Sequence, residues 1–296
     1  EEIDYTIPGA DLTMAVHKYR VLLPFIVGKI CSLSKLSKNS NYVWSEKYYT
    51  RIVHIFILIN LICIFLTAFI FLFFLINFFS FSKTLSIFGS TLFITLPIVT
   101  KSVGFPQVEP LALFITLLMF LSVHYKKAHY FLLLAFLGTL TRDLFIFAPV
   151  LWFFNYNFIE NNSFKLKFSH LVISIVPILF FILQRFYFSG EFVLETRGTY
   201  DLLQGELPPI VFFDNFGFGT LRDFLTKLFL VFTFLWLGVL NIKKNKFLMK
   251  SSFTLIFLIL ISLWIARGSG IERHVGLMFP IIIPSFLYFF KDNLKI

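Results

Sequence analysis

Long apolar runs, separated by short polar stretches, fill the chain from about residue 52 to its end. A helix needs roughly 20 apolar residues to cross about 30 Å of hydrocarbon at 1.5 Å per residue, and several of the runs approach that length. Strands of a membrane barrel would alternate apolar and polar residues over about ten positions, and these runs do not. The pattern therefore predicts an all-α fold, a polytopic transmembrane helical bundle of about nine spans.

The predicted spans share an apolar run bounded by polar or turn-forming residues. They are residues 52–80, 85–100, 108–124, 129–141, 143–157, 168–187, 224–241, 250–266 and 275–290. The run 129–157 is divided into two short helices, because a single helix there would put the lysine-rich loops on opposite sides of a membrane. Residues 188–223 contain glycines, two adjacent prolines and aromatics, and predict a folded outer loop.

The first 51 residues differ from the rest of the chain. Residues 1–18 carry four acids and a Pro-Gly turn, so they are expected to lie outside a bilayer. The apolar stretch 19–33 is too short to span and predicts an interfacial helix. We therefore expect an outer loop with interfacial helices at 1–51, followed by a transmembrane domain at 52–296. Since the first residue is Glu, we also expect that at least one helix precedes this loop.

Composition and charge support a membrane protein. The chain is 58% hydrophobic, contains 44 Phe and has a formal net charge of +10. The excess of basic residues falls in lysine-rich loops at every second crossing, which is typical of cytoplasmic loops rather than of nucleic-acid binding. Two cysteines offer no disulfide framework. We therefore expect a multi-pass protein of a bacterial inner membrane.

Charged residues lie at the ends of the apolar runs in the stretch 106–144. Glu109 opens one apolar run, Lys126 and Lys127 separate it from the next, and Arg142-Asp143 closes that one. A charge at the centre of a membrane helix costs roughly 2.5 to 3.5 kcal/mol, so these groups are expected at helix ends. A helical hairpin with its turn at the lysines would bring Glu109 and Arg142-Asp143 together at the outer face.

Two further charged clusters map to the same predicted face. One comprises Asp4 and Asp11 with Arg20, and the other is Glu272-Arg273-His274. In a cleft at a membrane surface, a carboxylate can deprotonate a hydroxyl or bind a cation, while Arg and His neutralise a phosphate leaving group. Each cluster alone also fits a structural role as solvated loop acids, an ion pair or headgroup anchors.

Four segments resemble the GT-C superfamily of integral-membrane glycosyltransferases. They read HKYRVLLPFI, FPQVEPLALFITLLMFL, LGTLTRDLFIFAPVLWF and ERHVGLMFPIII. The 296 residues contain neither the family's helix before the first outer loop nor its large soluble C-terminal domain, and the helix is expected to precede residue 1. The resemblance implies transfer of a sugar from a polyprenyl-phosphate-linked donor to an acceptor at the periplasmic face. The partners are then the lipid-linked donor, membrane lipid and an unidentified acceptor glycan, lipid or protein, without nucleic acid.

The resemblance also implies roles for individual residues. Asp11 becomes the catalytic base or metal-linked carboxylate, with Asp4 as its substitute. Glu109 becomes a second acid near the site, and a divalent cation, Mg²⁺ or Mn²⁺, is a candidate cofactor for Asp11 and Glu109. The substrate-binding set implied is Arg20, Glu109, Arg142, Asp143, Arg273 and His274.

Two other classes fit parts of the pattern. An O-antigen-polymerase-like enzyme would place its site in a large outer loop with arginine, as at 188–223. A transporter or lipid flippase would line a central path with charges and tends to contain inverted repeats. The charges here cluster at one face instead, which favours the glycosyltransferase.

Overall fold

The structure is a computed structural model, and it describes residues 22–33, 46–103, 107–157, 167–189, 238, 240–266 and 271–293. Every regular element in these segments is helical, which confirms the predicted all-α fold class. The helices are α1 (Leu22–Leu33), α2 (Glu46–Phe79), α3 (Lys83–Thr95), α4 (Pro97–Ser102), α5 (Glu109–His124), α6 (Ala128–Thr141), α7 (Ala148–Asn157), α8 (Phe168–Ser189), α9 (Lys246–Ala266), α10 (Ile271–Gly276) and α11 (Phe279–Asn293), with 3-10 helices at Asp143–Phe147 and Ile242–Lys244.

The helices differ from the predicted spans at several breaks. The expected span 85–100 is divided at Leu96, whose extended backbone (ψ 137°) precedes Pro97. Proline disfavours a helical conformation in the residue before it and lacks the N–H that would continue the ladder. The expected span 275–290 is likewise broken, between α10 and α11. Helix α2 is longer than predicted, since it begins at Glu46, six residues before the expected start. Most of the expected span 224–241 lies outside the described residues.

Hydrogen bonds within the turn between α5 and α6 fix its shape. The N–H of Lys127 donates to the carbonyl of Ser122 (2.9 Å), and the N–H of Lys126 donates to that of Val123 (3.1 Å). Lys126 adopts a positive φ of 55°. These are the two bonds of a Schellman motif, which satisfies the last carbonyls of a helix and reverses the chain. The predicted turn at the two lysines is confirmed.

The chain reverses again at Arg142. The hydroxyl of Tyr156, in the last turn of α7, donates to the carbonyl of Val123, near the end of α5. Residues 143–157 therefore run back toward the turn that contains Lys126. The division of 129–157 into two legs is confirmed, although the second leg starts as a 3-10 helix before α7 begins.

Further contacts give the direction of the other helices. Phe78 at the end of α2 packs on His124, and Phe247 at the start of α9 packs on Phe78. Asn245, just before α9, donates to the hydroxyl of Tyr288 in α11 (3.4 Å). The bundle thus has two ends. We call the end with the Tyr125–Lys127 turn the lysine end, and the end where α5 begins and α6 stops the ion-pair end.

Buried aromatic rings fill the centre of the bundle. Phe279 of α11 packs on Phe71 of α2 and Phe93 of α3, with ring centroids 5.0 and 4.5 Å apart. Trp152 of α7 packs on Phe131 of α6 in the same manner, 4.7 Å away. Because all five rings are almost fully buried, they tie helices distant in sequence into one core.

One helix within the described residues is long and apolar enough to cross a membrane, judged by length and composition. It comprises the 27 residues Val53–Phe79 of α2. Its length corresponds to about 40 Å at 1.5 Å per residue. Several large apolar side chains on it, including Phe65 and Leu58, are exposed. The described part of the protein therefore includes one candidate membrane span, and other apolar helices in it are shorter.

A glycine is required where the chain approaches the reversal at Arg142. A Cβ at Gly138 would overlap the ring of Phe145, which is fully buried, whereas a Cβ at Gly28 would meet nothing within 4 Å. We expect Gly138→Ala to lower stability by about 1 to 3 kcal/mol, the usual cost of overpacking a core. Gly28→Ala is the matched control, and unfolding in detergent is the measurement. Equal stability of the two variants would contradict the packing described here.

Candidate functional site

A buried ion pair joins α5 to the end of α6. Nη1 of Arg142 lies 3.1 Å from Oε1 of Glu109, and the two side chains are 5% and 4% exposed. At this separation the guanidinium and the carboxylate are in direct contact as an ion pair. The sequence-based prediction that the hairpin brings these two residues together is therefore confirmed.

The surrounding backbone explains how the two charges meet. Glu109 is the first residue of α5, with Pro110 at the second position, where its missing N–H costs nothing. Arg142 follows the last residue of α6 in an extended conformation (φ −160°, ψ 141°), and its N–H donates to the carbonyl of Gly138 (2.8 Å). The Phe145 N–H donates to the Arg142 carbonyl (3.2 Å). Both backbone groups of Arg142 are therefore fixed while its side chain reaches α5.

Burial of this pair corrects one expectation. The sequence pattern suggests charged side chains on a hydrated outer surface, but Glu109 and Arg142 lie beneath it. The two side chains are buried because the chain packs tightly where it reverses direction. Pro110, Thr141 and Phe145, which lie beside them, are also buried. In an apolar environment a lone charge is costly, and the pair is retained because each group neutralises the other.

Two buried amides near the pair were not predicted from the sequence. Gln184 of α8 donates from Nε2 to the carbonyl of Thr139, one turn before Arg142 (3.1 Å). Asn60 of α2 is fully buried, and its neighbour Ile59 packs with Val108 around α1, which places Asn60 near the level of Glu109. Each of these amides interrupts an apolar run, so the sequence contained a signal for a buried polar group at both positions. The ion-pair end therefore carries buried polar groups from several helices.

The late charged cluster lies at the same end of the bundle. His274, half-buried, belongs to α10, and Gly276 of that helix sits against Ile98 of α4. Helix α4 in turn packs beside α5. Helix α10, which carries Arg273 and His274, is therefore separated from α5 and Glu109 by α4. The backbone of Asp143 directly follows Arg142, in the 3-10 helix.

Several predicted residues lie outside the described part of the chain. These are Asp4, Asp11 and Arg20, together with most of the loop 188–223. The nearest described element to the first three is α1, which starts at Leu22 and packs through Leu23 and Val27 against α2 and Val108. Helix α1, which follows these residues in the chain, therefore packs beside the residue that precedes Glu109.

A cation site was one expectation for Asp11 and Glu109. Among the described residues, no three His, Cys, Asp or Glu side chains come together in a way that could hold a metal ion. Glu109 already faces the positive charge of Arg142 at 3.1 Å, and this charge opposes the approach of a cation to the carboxylate.

Lysines gather at the opposite end of the protein. In the described segments this end carries Lys83, Lys126, Lys127, Lys167, Lys243, Lys244, Lys246, Lys250 and Lys291, against one acid, Asp292. The ion-pair end carries the acids Glu109, Asp143 and Glu272 beside the basic residues Lys101, Arg142 and Arg273. The two ends of the bundle therefore differ in where the acids lie, while basic residues occur at both.

The fold and site define a class: an all-helical bundle with at least one candidate membrane span, a lysine-rich end and a buried ion pair at the other end. No known protein family, curated protein or solved structure matches the chain.

Proposed function

We propose that the protein is a multi-pass membrane glycosyltransferase of the GT-C type. In this proposal about nine helices span a bacterial inner membrane, and the ion-pair end faces the periplasm. The enzyme transfers a sugar from a polyprenyl-phosphate-linked donor to an acceptor at that face. The observation that carries the proposal is the buried contact between Glu109 and Arg142, at the end of the bundle opposite the lysines.

The ion pair supports this reaction class for a chemical reason. The donor leaves as a polyprenyl phosphate, so an enzyme that uses it needs a cationic group near the membrane surface to stabilise the phosphate. Arginine presents a planar fork of N–H donors that matches phosphate oxygens. Arg142 supplies such a group from a helix end, and Arg273 and His274 lie at that end on α10, which packs beside α4.

The remaining roles follow from the sequence resemblance. Asp11 deprotonates the acceptor hydroxyl or holds a divalent cation, and Asp4 is its substitute. Arg20 and Asp143 complete the donor-binding set. A transporter or flippase would also contain buried charges, but it would leave the bond between sugar and phosphate intact.

The deciding experiment is an assay of lipid-linked sugar turnover by the purified protein in detergent. We expect release of polyprenyl phosphate that depends on an added acceptor, with EDTA testing the need for a cation. The Asp11→Asn variant is the matched control. Movement of intact lipid-linked sugar across a vesicle membrane, without cleavage, would replace the glycosyltransferase by a flippase.

Sidedness can be tested independently of activity. Val103, after α4, and Lys127, in the lysine turn, are both exposed and lie at opposite ends of the bundle. In a background with Cys31 and Cys63 replaced by Ala, an impermeant thiol reagent added outside intact cells should label Val103→Cys and spare Lys127→Cys. Lysis should make both reactive. Outside labelling of position 127 would invert the proposed orientation.

A further inference from the structure

Three segments that are distant in sequence meet around Tyr288 at the lysine end. The ring of Phe81, in the turn between α2 and α3, packs on the ring of Tyr288 with centroids 4.9 Å apart. Asn245, just before α9, donates from Nδ2 to the hydroxyl of the same tyrosine (3.4 Å). Tyr288 itself lies near the end of α11. The turn before α3, the segment before α9 and the end of α11 therefore border one another.

Each of these segments carries a lysine. Lys83 is the first residue of α3, Lys243 lies in the 3-10 helix before α9, and Lys291 lies in the last turn of α11. The first two are exposed and Lys291 is half-buried. Nζ of Lys291 lies 5.5 Å from the centroid of the Phe81 ring and 5.8 Å from that of the Tyr288 ring, within the range of cation–π attraction. The two rings thus hold one ammonium group at the place where the three segments meet.

The grouping of these lysines goes beyond what membrane topology requires. Basic residues in cytoplasmic loops set the orientation of a membrane protein, and for that purpose each loop can carry its charge anywhere along its length. Here three segments bring their lysines to a single tyrosine, although like charges repel one another. Among the described residues of this end the only acid is Asp292. An anion bound among the lysines is a physical reason for the grouping.

An exposed apolar face begins directly beside the lysines. Phe88 of α3 packs edge-on against Phe290 of α11, with ring centroids 5.8 Å apart. Ile87 and Phe88 are 57% and 41% exposed and lie about one turn after Lys83, while Phe290 directly precedes Lys291. The surface is therefore charged at the end of the bundle and apolar along its side. A soluble polyanion would use only the charged part, whereas a phospholipid carries a phosphate and acyl chains in the same arrangement.

We propose that this surface is a binding site for an anionic glycerophospholipid of the surrounding bilayer, of the phosphatidylglycerol class. The lipid phosphate lies among Lys83, Lys243 and Lys291, and the acyl chains lie along α3 and α11 over Ile87 and Phe88. The proposal depends on the membrane location that is part of the proposed function, but on no step of sugar transfer. Its ligand is a lipid that stays bound to the protein and is not consumed.

The test compares binding of dimyristoyl phosphatidylglycerol and dimyristoyl phosphatidylcholine to the full chain in detergent, measured by native mass spectrometry. The natural protein should retain the anionic lipid in preference to the zwitterionic one. Lys83→Gln and Lys291→Gln should each weaken binding of phosphatidylglycerol about fivefold, the usual contribution of one lysine near an anionic headgroup, and leave phosphatidylcholine unaffected. Lys291→Arg keeps the positive charge and should restore the affinity.

Lys167→Gln is the matched control. Lys167 is exposed and belongs to the lysine end, but it lies beside α7, where its N–H donates to Oδ1 of Asn157 (3.1 Å). Its substitution should leave phosphatidylglycerol binding unchanged. Equal losses in all three lysine variants would assign the attraction to the charge of the whole end and overturn the site, as would equal retention of the two lipids. If glycerol phosphate displaces the lipid at an equal concentration, the ligand is a soluble anion and the proposal fails. Selective binding in a protein without sugar transfer supports this site and rejects only the glycosyltransferase.

Discussion

Replacing Arg142 with methionine is expected to destabilise the protein by roughly 3 kcal/mol. The substitution removes the cation that faces the buried Glu109, and breaking a buried ion pair from one side commonly costs about 3 to 5 kcal/mol. We expect the lower part of this range because Glu109, at the first residue of α5, lies close to the end of the helix. The free energy of unfolding in mixed detergent micelles is the quantity to measure.

Two companion variants separate the effect of the lost charge from the effect of lost packing. Lys127→Met removes an exposed cation at the lysine end and should change stability by less than about 0.5 kcal/mol, as surface substitutions usually do. The double variant Glu109→Gln/Arg142→Met removes both charges and should recover much of the loss. If the double variant is as unstable as Arg142→Met, the loss arises from packing at the reversal and not from the unpaired carboxylate.

Replacing Asp11 with asparagine is expected to reduce sugar transfer by about 10²- to 10⁴-fold. This is the usual contribution of a general base. Asp11 lies eleven residues before Leu22, and α1, which starts at Leu22, packs beside the residue that precedes Glu109. Turnover of the lipid-linked sugar is the measurement, with unfolding in detergent showing that stability is unchanged.

Asp4→Asn is the matched control for Asp11→Asn. Asp4 is seven residues farther from α1, so its substitution should leave most of the activity intact. An inactive Asp4→Asn together with a fully active Asp11→Asn would reverse the assigned roles. Loss of activity in both would indicate that the two acids act together, as ligands of one cation would.

The hairpin was predictable because its charges mark the ends of its helices. Glu109, the two lysines and Arg142 stand at the boundaries of apolar runs, and the cost of a charge inside such a run leaves few other arrangements. The reversal at Arg142 was predicted from the basic residues, because a single helix over 129–157 would place them on both sides of a membrane. In each case a local feature of the sequence, the position of a charge, determined a contact between distant residues.

Burial and helix breaks were harder to predict, for different reasons. The break at Leu96 had a signal in Pro97 that the apolar pattern obscured. The burial of Arg142 had none, because burial depends on packing between residues that are not neighbours in sequence, and such packing leaves no periodicity in a chain that is apolar throughout. Gln184 was missed because a single amide in an apolar run fits a lipid-facing surface as well as a buried hydrogen bond.

The Schellman turn at Lys126 has a consequence for the order of folding. Its bonds join residues no more than five positions apart, so it can form as soon as α5 and α6 are helical. The contact between Glu109 and Arg142 closes the far end of the hairpin and requires the whole length of both helices to be in register. Because local contacts cost less chain entropy than distant ones, the hairpin should close from the lysine end toward the ion-pair end. Loss of the ion pair should then accelerate unfolding much more than it slows folding.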